Sequence, residues 1–410
     1  MPTCDQGRIS VQKRYPSVVL RKGRERALLQ GHPWIFSGAI ERVMGNPEAG
    51  EVVCVYSHRG EPVALAFYHP HADIALRVLS RHTEIEINRE FLQHRIRKAN
   101  ELRKKVIKGD TSAFRVINSE GDGVPGLIVD KYGEYLVVSF ETLGAQRRRG
   151  EIVDALIEIL SPRGIYERSQ SGARKKEGLS IEQGRLWGEE PPEMVEIREN
   201  GLKFFVDVKG GQKTGFFLDQ RDNRKLFHAL SWGARVLNCF SYTGGFSIYA
   251  LKGGAKEVVS VETSEAALRL INSHISANGL DGGRHRMECA DVFDYLRADD
   301  SSYDLICLDP PSFARTQKEV GRALKGYREI NRQAIRRLKP GGILITFSCS
   351  GAVREEAFYR AVQEGAIEAG SALQLLRFLG PAADHPTQFA HREGRYLKGL
   401  MLSILEREGS

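Results

Sequence analysis

Residues 236 to 246 read V-L-N-C-F-S-Y-T-G-G-F, an apolar run, then a Ser/Thr/Gly-rich loop, then F-S-I-Y-A-L with helical spacing. Strand, turn and helix in that order place the loop at the carboxyl end of a strand, where open parallel sheets bind nucleotide-like ligands. Gly244 and Gly245 carry no β-carbon and let the backbone come close to such a ligand. The order is not G-x-G-x-x-G, which removes the main support for a nicotinamide enzyme. The next apolar run, Glu257 to Glu262, ends in an acid where folds of this kind hold a ribose through its hydroxyls.

Downstream, strand-like and helix-like stretches alternate. Val236, Val258, His285, Leu305 and Ile343 mark five strands, and Leu373 to Leu379 and Tyr396 to Leu405 add two more. Seven strands with a final hairpin-like pair differ from the dinucleotide fold and agree with an α/β class I methyltransferase, a Rossmann-like seven-stranded sheet. Upstream, Asn200-Gly201 is the type I′ turn of a hairpin. Short strands broken by turn residues up to Ile87 predict a small β-rich domain over 1–87. An amphipathic helix from Asn88 to Val106, strands at 113–118, 127–130 and 135–140, and a helix over 149–160 predict a small α+β domain over 88–195. The catalytic domain then occupies 196–410.

Composition narrows the function. With 41% hydrophobic and 27% charged residues, no signal-like leader and no run of the roughly 18 apolar residues a membrane span needs, a cytoplasmic globular protein is expected. The cysteines Cys4, Cys54, Cys239, Cys289, Cys307 and Cys349 are scattered without metal-binding spacing, so free thiols and no metal are expected. His69 and His71 have nothing nearby to complete a coordination shell. The net charge is +8, of which residues 1–110 supply +7, with 19 Lys and Arg against 12 Asp and Glu. A basic N-terminal part joined to a balanced remainder suggests that the first meets a polyanion and the second does chemistry. On the 88–106 helix Arg95, Arg97, Lys98, Arg103, Lys104 and Lys105 read as the outer face, and Ser169 to Gly178, with Arg174, Lys175 and Lys176, as an exposed basic loop.

Two further motifs carry chemistry. The fourth strand delivers D-P-P-S-F, so Asp309 reaches the same rim as the Gly244 loop. Pro310 and Pro311 stiffen the turn and leave carbonyls to accept from a base's amino group, and Phe313 is placed to stack on a splayed base. The fifth strand ends in S-C-S-G, which puts Cys349 on that rim. Methylating carbon 5 of a pyrimidine requires a soft nucleophile at carbon 6, and a thiolate suits that task best. Asp309 would hold the amino group and ring nitrogen 3 of a cytosine.

G-Q-K-T-G-F-F-L-D-Q-R-D-N-R, N-C-F-S-Y-T-G-G-F, L-D-P-P-S-F, F-S-C-S-G, A-D-H-P and Y-L-K-G-L together resemble the RlmI family of bacterial 23S ribosomal RNA cytosine-5 methyltransferases. H-P-W-I-F-S-G-A-I is similar to the N-terminal PUA domain of that family. The resemblance covers nearly the whole chain. It implies S-adenosylmethionine as cofactor and 23S ribosomal RNA, or a large-subunit assembly intermediate, as partner. It implies Asn238, Phe240, Ser241, Thr243 and Gly244 around the methionine part, Glu262 at the ribose, Asp291 at the adenine, Asp219, Gln220 and Asp309 beside the cofactor, and Cys349 as nucleophile. Ser312 stands where the Nop2/Sun relatives carry a second cysteine, which leaves the base for the carbon 5 proton open. A guanine-modifying relative would keep D-P-P-x-F without needing S-C-S; a uracil methyltransferase usually brings an iron–sulfur cluster, whose spacing is missing; an RNA-binding protein without catalysis would need neither Asp309 nor Cys349. The oligomeric state, a homodimer among the options, is left open.

Overall fold

The computed structural model describes residues 15–407, so Cys4 lies outside the described residues. The chain divides into two compact units, one of residues 1–201, 206–218 and 383–394, the other of residues 202–205, 219–382 and 395–410. Asn200 and Gly201, near the first crossing, have φ of 49° and 82°, the paired left-handed conformation of a type I′ turn.

The second unit is built on a seven-stranded sheet. Its strands are β1 (Arg235–Cys239), β2 (Glu257–Glu262), β3 (His285–Cys289), β4 (Tyr303–Leu308), β5 (Leu338–Ser348), β6 (Ser371–Leu379) and β7 (Lys398–Arg407). Their spatial order is β3-β2-β1-β4-β5-β7-β6. The first five strands run parallel, and β7 lies antiparallel between β5 and β6. The helices of this unit are α1 (Arg221–Ala229), which precedes β1, and then α2 (Gly245–Lys252), α3 (Glu265–Ala277), α4 (Val292–Ala298), α5 (Val320–Arg337) and α6 (Glu355–Glu368), each after a strand. Val236, Leu237, Val259, Val261, Leu305, Ile306, Leu344 and Ile345 are all buried, as expected of strands covered on both faces. The order reverses between β1 and β4, so the loops that follow these two strands open at the switch point of the sheet.

The first unit contains a six-stranded sheet with strands between Ser17 and Ser80, and a five-stranded sheet with strands between Ala113 and Gly188. Helix Arg89–Val106, capped by the Asn88 side chain on the Phe91 amide, lays Leu92, Ile96 and Ala99 into the core of the second sheet. Arg103 falls on that same face and not on the outer one. It is fully buried, with its guanidinium against both oxygens of Asp122 at 2.5 and 2.7 Å and bonded to the Arg115 and Asp384 carbonyls. Arg174 is a second correction. Residues 172–176 form a short helix, and Arg174 turns inward to the Ser180 carbonyl, Gln146 and Glu182, while Lys175 and Lys176 stay exposed. Both arginines are buried because they have carboxylates and carbonyls to bond, a tertiary condition that a hydropathy pattern does not carry.

Segment 383–394, remote in sequence, is built into this first unit. The Asp384 carboxylate accepts from the Arg115 amide at 2.9 Å, and the Pro386 carbonyl accepts from Asn118 at 2.9 Å. A β-carbon at Gly121 would sit 1.9 Å from the Pro386 carbonyl oxygen, so only glycine allows this approach. His69 serves its own turn, its ring bonded to the Glu177 carbonyl and to the amides of His71 and Ala72.

Candidate active site

All the sequence-predicted site residues fall in the second unit, and the loop after β1 has an unusual backbone. Phe240, Tyr242 and Gly244 have φ of 57°, 47° and 78°, three left-handed residues in a run of five. Non-glycine residues rarely hold that conformation, and it persists where surrounding bonds impose it. Here the Ser241 amide donates to the Val261 carbonyl at 3.1 Å, Gly244 donates back to the Ser241 carbonyl at 2.8 Å, and His274 of α3 reaches the Thr243 carbonyl at 2.9 Å. A β-carbon at Gly244 would come 2.8 Å from the Ile271 side chain, which would have to shift to admit it.

Glu262, at the end of β2, ties this loop to its own. One carboxylate oxygen accepts the Tyr242 amide at 2.9 Å; the other accepts the amides of Thr263 and Ser264 and the Thr263 hydroxyl. A carboxylate offers about four acceptor positions, so the oxygen facing Tyr242 retains capacity for a ligand hydroxyl. Asp291 caps α4, one oxygen accepting from the Phe293 and Asp294 amides. It is exposed. Asn238 is buried and donates to Ser247, which continues through Ser260 to His285. Asp219 and Gln220 are buried in the turn before α1, where Tyr396 donates to Asp219 at 2.5 Å and Asn223 donates to Gln220 at 2.6 Å.

Asn238 Oδ1 and Ser241 Oγ are buried here and have no hydrogen-bond partner among the described residues. Orphaned acceptors and hydroxyls are costly unless a ligand or water completes them. With the glycine cradle and Glu262, they fit a ligand bearing an amino group and ribose hydroxyls, as S-adenosylmethionine does.

The second half of the site joins β4 to β5. Cys349 Sγ lies 3.7 Å from the Pro310 carbonyl oxygen, so the thiol and the D-P-P turn are adjacent. Asp309 is half-buried and Pro311 is exposed. Cys239 and Cys307 are fully buried, and burial pushes both thiols up from their ordinary range, leaving neither suited to react. Phe313 is half-buried and packs on Tyr327, ring centres 4.7 Å apart, and on Phe293 at 6.1 Å. Much of its surface is thus spent on the protein's own rings.

Sequence reasoning missed a buried hydroxyl chain behind Cys349. Ser348 donates to the Tyr327 phenol, Tyr327 meets Ser350, and Ser350 meets Ser312 and the Ala314 amide, at 2.9 to 3.2 Å. It locks the turns after β4 and β5 to α5. Lys398 was missed as well, although it sits inside the quoted Y-L-K-G-L. It is buried, and its ammonium donates to the Ser350 and Val353 carbonyls at 2.8 and 3.0 Å.

The sheet order, the glycine cradle and the D-P-P turn define a class I methyltransferase. A family model described as S-adenosylmethionine-dependent methyltransferase matches residues 180–390, and one described as a PUA-like domain matches 18–81. The chain is 44% identical over 394 residues to ribosomal RNA large subunit methyltransferase I of Tolumonas auensis, covering 95% of this chain and 99% of that one. The Salmonella gallinarum protein of the same name is 40% identical, with 95% and 98% covered. Among solved structures, the methyltransferase SMU.776 complexed with SAH superposes with a TM-score of 0.83 at 26% identity, covering 95% of this chain and all of that one. The protein is therefore an S-adenosylmethionine-dependent methyltransferase with a PUA-like domain near its N-terminus. Within that class, it belongs to the ribosomal RNA large subunit methyltransferase I family.

Proposed function

We propose that this protein methylates carbon 5 of a cytosine in 23S ribosomal RNA through a covalent bond from Cys349 to the base. S-adenosylmethionine, when bound, supplies an electrophilic methyl group, and Asn238, Ser241, Gly244, Glu262 and Asp291 are the residues to hold it. The observation that carries the reading is the contact between Cys349 Sγ and the Pro310 carbonyl, which joins a thiol to the one turn suited to hold a base edge. The Cys349 thiolate adds to carbon 6, and the electron pair moves to carbon 5, which becomes the nucleophile. Asp309 accepts from the exocyclic amino group and keeps ring nitrogen 3 protonated, which favours the addition. After carbon 5 takes the methyl group its proton passes to water, the electron pair of that C–H bond restores the ring double bond, and the carbon–sulfur bond breaks to return the Cys349 thiolate. Phe313 and the two prolines bound the pocket of the base.

The partner is 23S ribosomal RNA or a particle containing it. The basic N-terminal segment supports this assignment, because Arg81, Arg95, Lys98 and Lys105 line a cleft of about 850 Å³ in the first unit, together with Gln388 and the exposed Phe389. Cations beside an exposed ring suit a phosphate backbone and a stacked base.

RNA carrying 5-fluorocytosine tests the mechanism, because fluorine cannot leave as a proton does. Wild-type protein is expected to form a denaturant-resistant adduct mapped by mass spectrometry to Cys349. Cys349→Ala should lose methylation while keeping cofactor and RNA binding. An active Cys349→Ala protein, or an adduct on another cysteine, overturns the reading in favour of a guanine-modifying enzyme.

A further inference from the structure

Lys398 has no part in the chemistry described so far, yet it is a cation buried one strand away from the proposed nucleophile. It is 5% exposed, and in the β5–β7 ladder it stands opposite Ser348, the residue before Cys349. Its ammonium donates to the carbonyls of Ser350 and Val353, the residues that form the turn after Cys349, and the Val353 amide closes that turn on Ser350 at 3.1 Å. An ammonium has three N–H donors, and among the described residues these two carbonyls are its hydrogen-bond partners. It forms no ion pair with a carboxylate among the described residues. A buried charge in that state is costly unless an anion completes it, and the burial holds the Lys398 ammonium below its ordinary range.

Besides Lys398, the charged and titratable groups near the thiol come from four elements. Asp309 precedes the Pro310 carbonyl that Cys349 touches at the end of β4, and the Tyr327 phenol of α5 is bonded to the serines on either side of Cys349. Glu355 at the start of α6 acts on Lys398 electrostatically, as Cys349 does. The Arg224 guanidinium acts on Cys307. Asp309 and Glu355 disfavour a negative sulfur, and the Tyr327 phenol is neutral. Of the two cations, Arg224 acts on Cys307, and Lys398 is the one that acts on Cys349.

We infer that Lys398 is the counter-ion of the Cys349 thiolate and fixes the turn that presents it. It is a positioning residue, since it acts through the sulfur and not on the base. When Cys349 ionises, its S–H bond breaks, the proton passes to water, and the thiolate left behind neutralises the buried ammonium. The inference rests on the proposed role of Cys349, but it is tested without RNA.

In the full-length protein, alkylation of Cys349 by iodoacetamide is followed by mass spectrometry of its peptide from pH 5 to 10, which separates it from the exposed Cys289. In Lys398→Met the midpoint of reactivity is expected to rise by about one pH unit or more, so that alkylation at pH 7 slows roughly tenfold. Lys398→Arg, which keeps the charge, should hold the midpoint near wild type. A merely structural role would leave the midpoint in place, and binding of S-adenosylhomocysteine checks that each variant is folded. If the variants do not fold, thiolate absorbance of wild type minus Cys349→Ser gives the midpoint directly, and a value at or above the free-cysteine range of about 8.5 overturns the inference. An unmoved midpoint in folded Lys398→Met overturns it too, even where the fluorocytosine adduct still forms. A shifted midpoint without any adduct would uphold the ion pair and sink the proposed chemistry instead.

Discussion

Gly244 and Gly245 are adjacent in sequence and differ sharply in what they tolerate. Gly244 has φ of 78°, and its β-carbon would press on the branched Ile271 side chain at 2.8 Å; Gly245 has no positive φ, and its β-carbon would meet the Arg224 side chain at 3.1 Å. Gly244→Ala therefore combines backbone strain with overpacking and should cost about 2 to 4 kcal/mol in urea unfolding. For Gly245→Ala a loss below about 1.5 kcal/mol is expected, and equal losses would mean that the loop relaxes freely. Glu262 differs in kind, because it is bonded to loop amides and still offers an acceptor. Glu262→Ala should lower affinity for S-adenosylmethionine by on the order of 2 to 3 kcal/mol. Calorimetry that finds the affinity unchanged would remove the ribose assignment.

α5 contributes to the site through Tyr327, whose phenol lies in the hydroxyl chain between Ser348 and Ser350. Tyr327→Phe keeps the ring packing on Phe313 and Phe358 but leaves the buried Ser348 hydroxyl without its acceptor, a loss of roughly 1 to 2 kcal/mol in a denaturant titration. An unchanged midpoint would show that the chain is dispensable. This element also shows where a sequence stops being legible. The strands at 52–56, 135–140 and 257–262 stand out as short apolar runs buried almost throughout, and the helices at 89–106 and 149–160 because burial repeats along them with a helical period. The rim positions of Gly244, Asp309 and Cys349 follow, because each lies at or just after the end of a parallel strand. Tyr327 does not, since a tyrosine on the apolar face of a helix looks like any core residue and its partners Ser348 and Ser350 lie 21 and 23 residues further along the chain. Arg103 and Arg174 were misplaced for the same physical reason, as a buried cation is decided by carboxylates and carbonyls that only the folded chain brings near. One signal for Arg103 was available: it lies four residues after Ala99 and seven after Ile96, on the buried stripe.

Over the whole chain, positive charge is concentrated in the N-terminal part of the sequence, with +7 of the net +8 in residues 1–110. Removing those residues is a poor test of what the charge does, because helix Arg89–Val106 supplies Leu92, Ile96 and Ala99 to the core of the five-stranded sheet. Point changes in the cleft of the first unit are cleaner. Arg95 is half-buried there, with one guanidinium nitrogen on the Leu79 carbonyl at 3.2 Å, its cation 5.1 Å from the Phe91 ring centre, and Nε without an acceptor among the described residues. Lys98 and Lys105 are exposed on the same helix and form no ion pair among the described residues. Each phosphate neutralised by such a cation releases condensed counter-ions, so the logarithm of affinity falls with the logarithm of salt, by about 0.7 per contact for a single strand. Replacing three contacts at once, Arg95→Met with Lys98→Gln and Lys105→Gln, is expected to reduce the salt slope of RNA binding by about 2, read by fluorescence anisotropy between 50 and 200 mM salt. Affinity for S-adenosylhomocysteine should not change, since none of the three residues belongs to the second unit. If RNA binds the triple variant with the wild-type slope, these charges are a solvated face and the docking surface must be sought on another part of the protein.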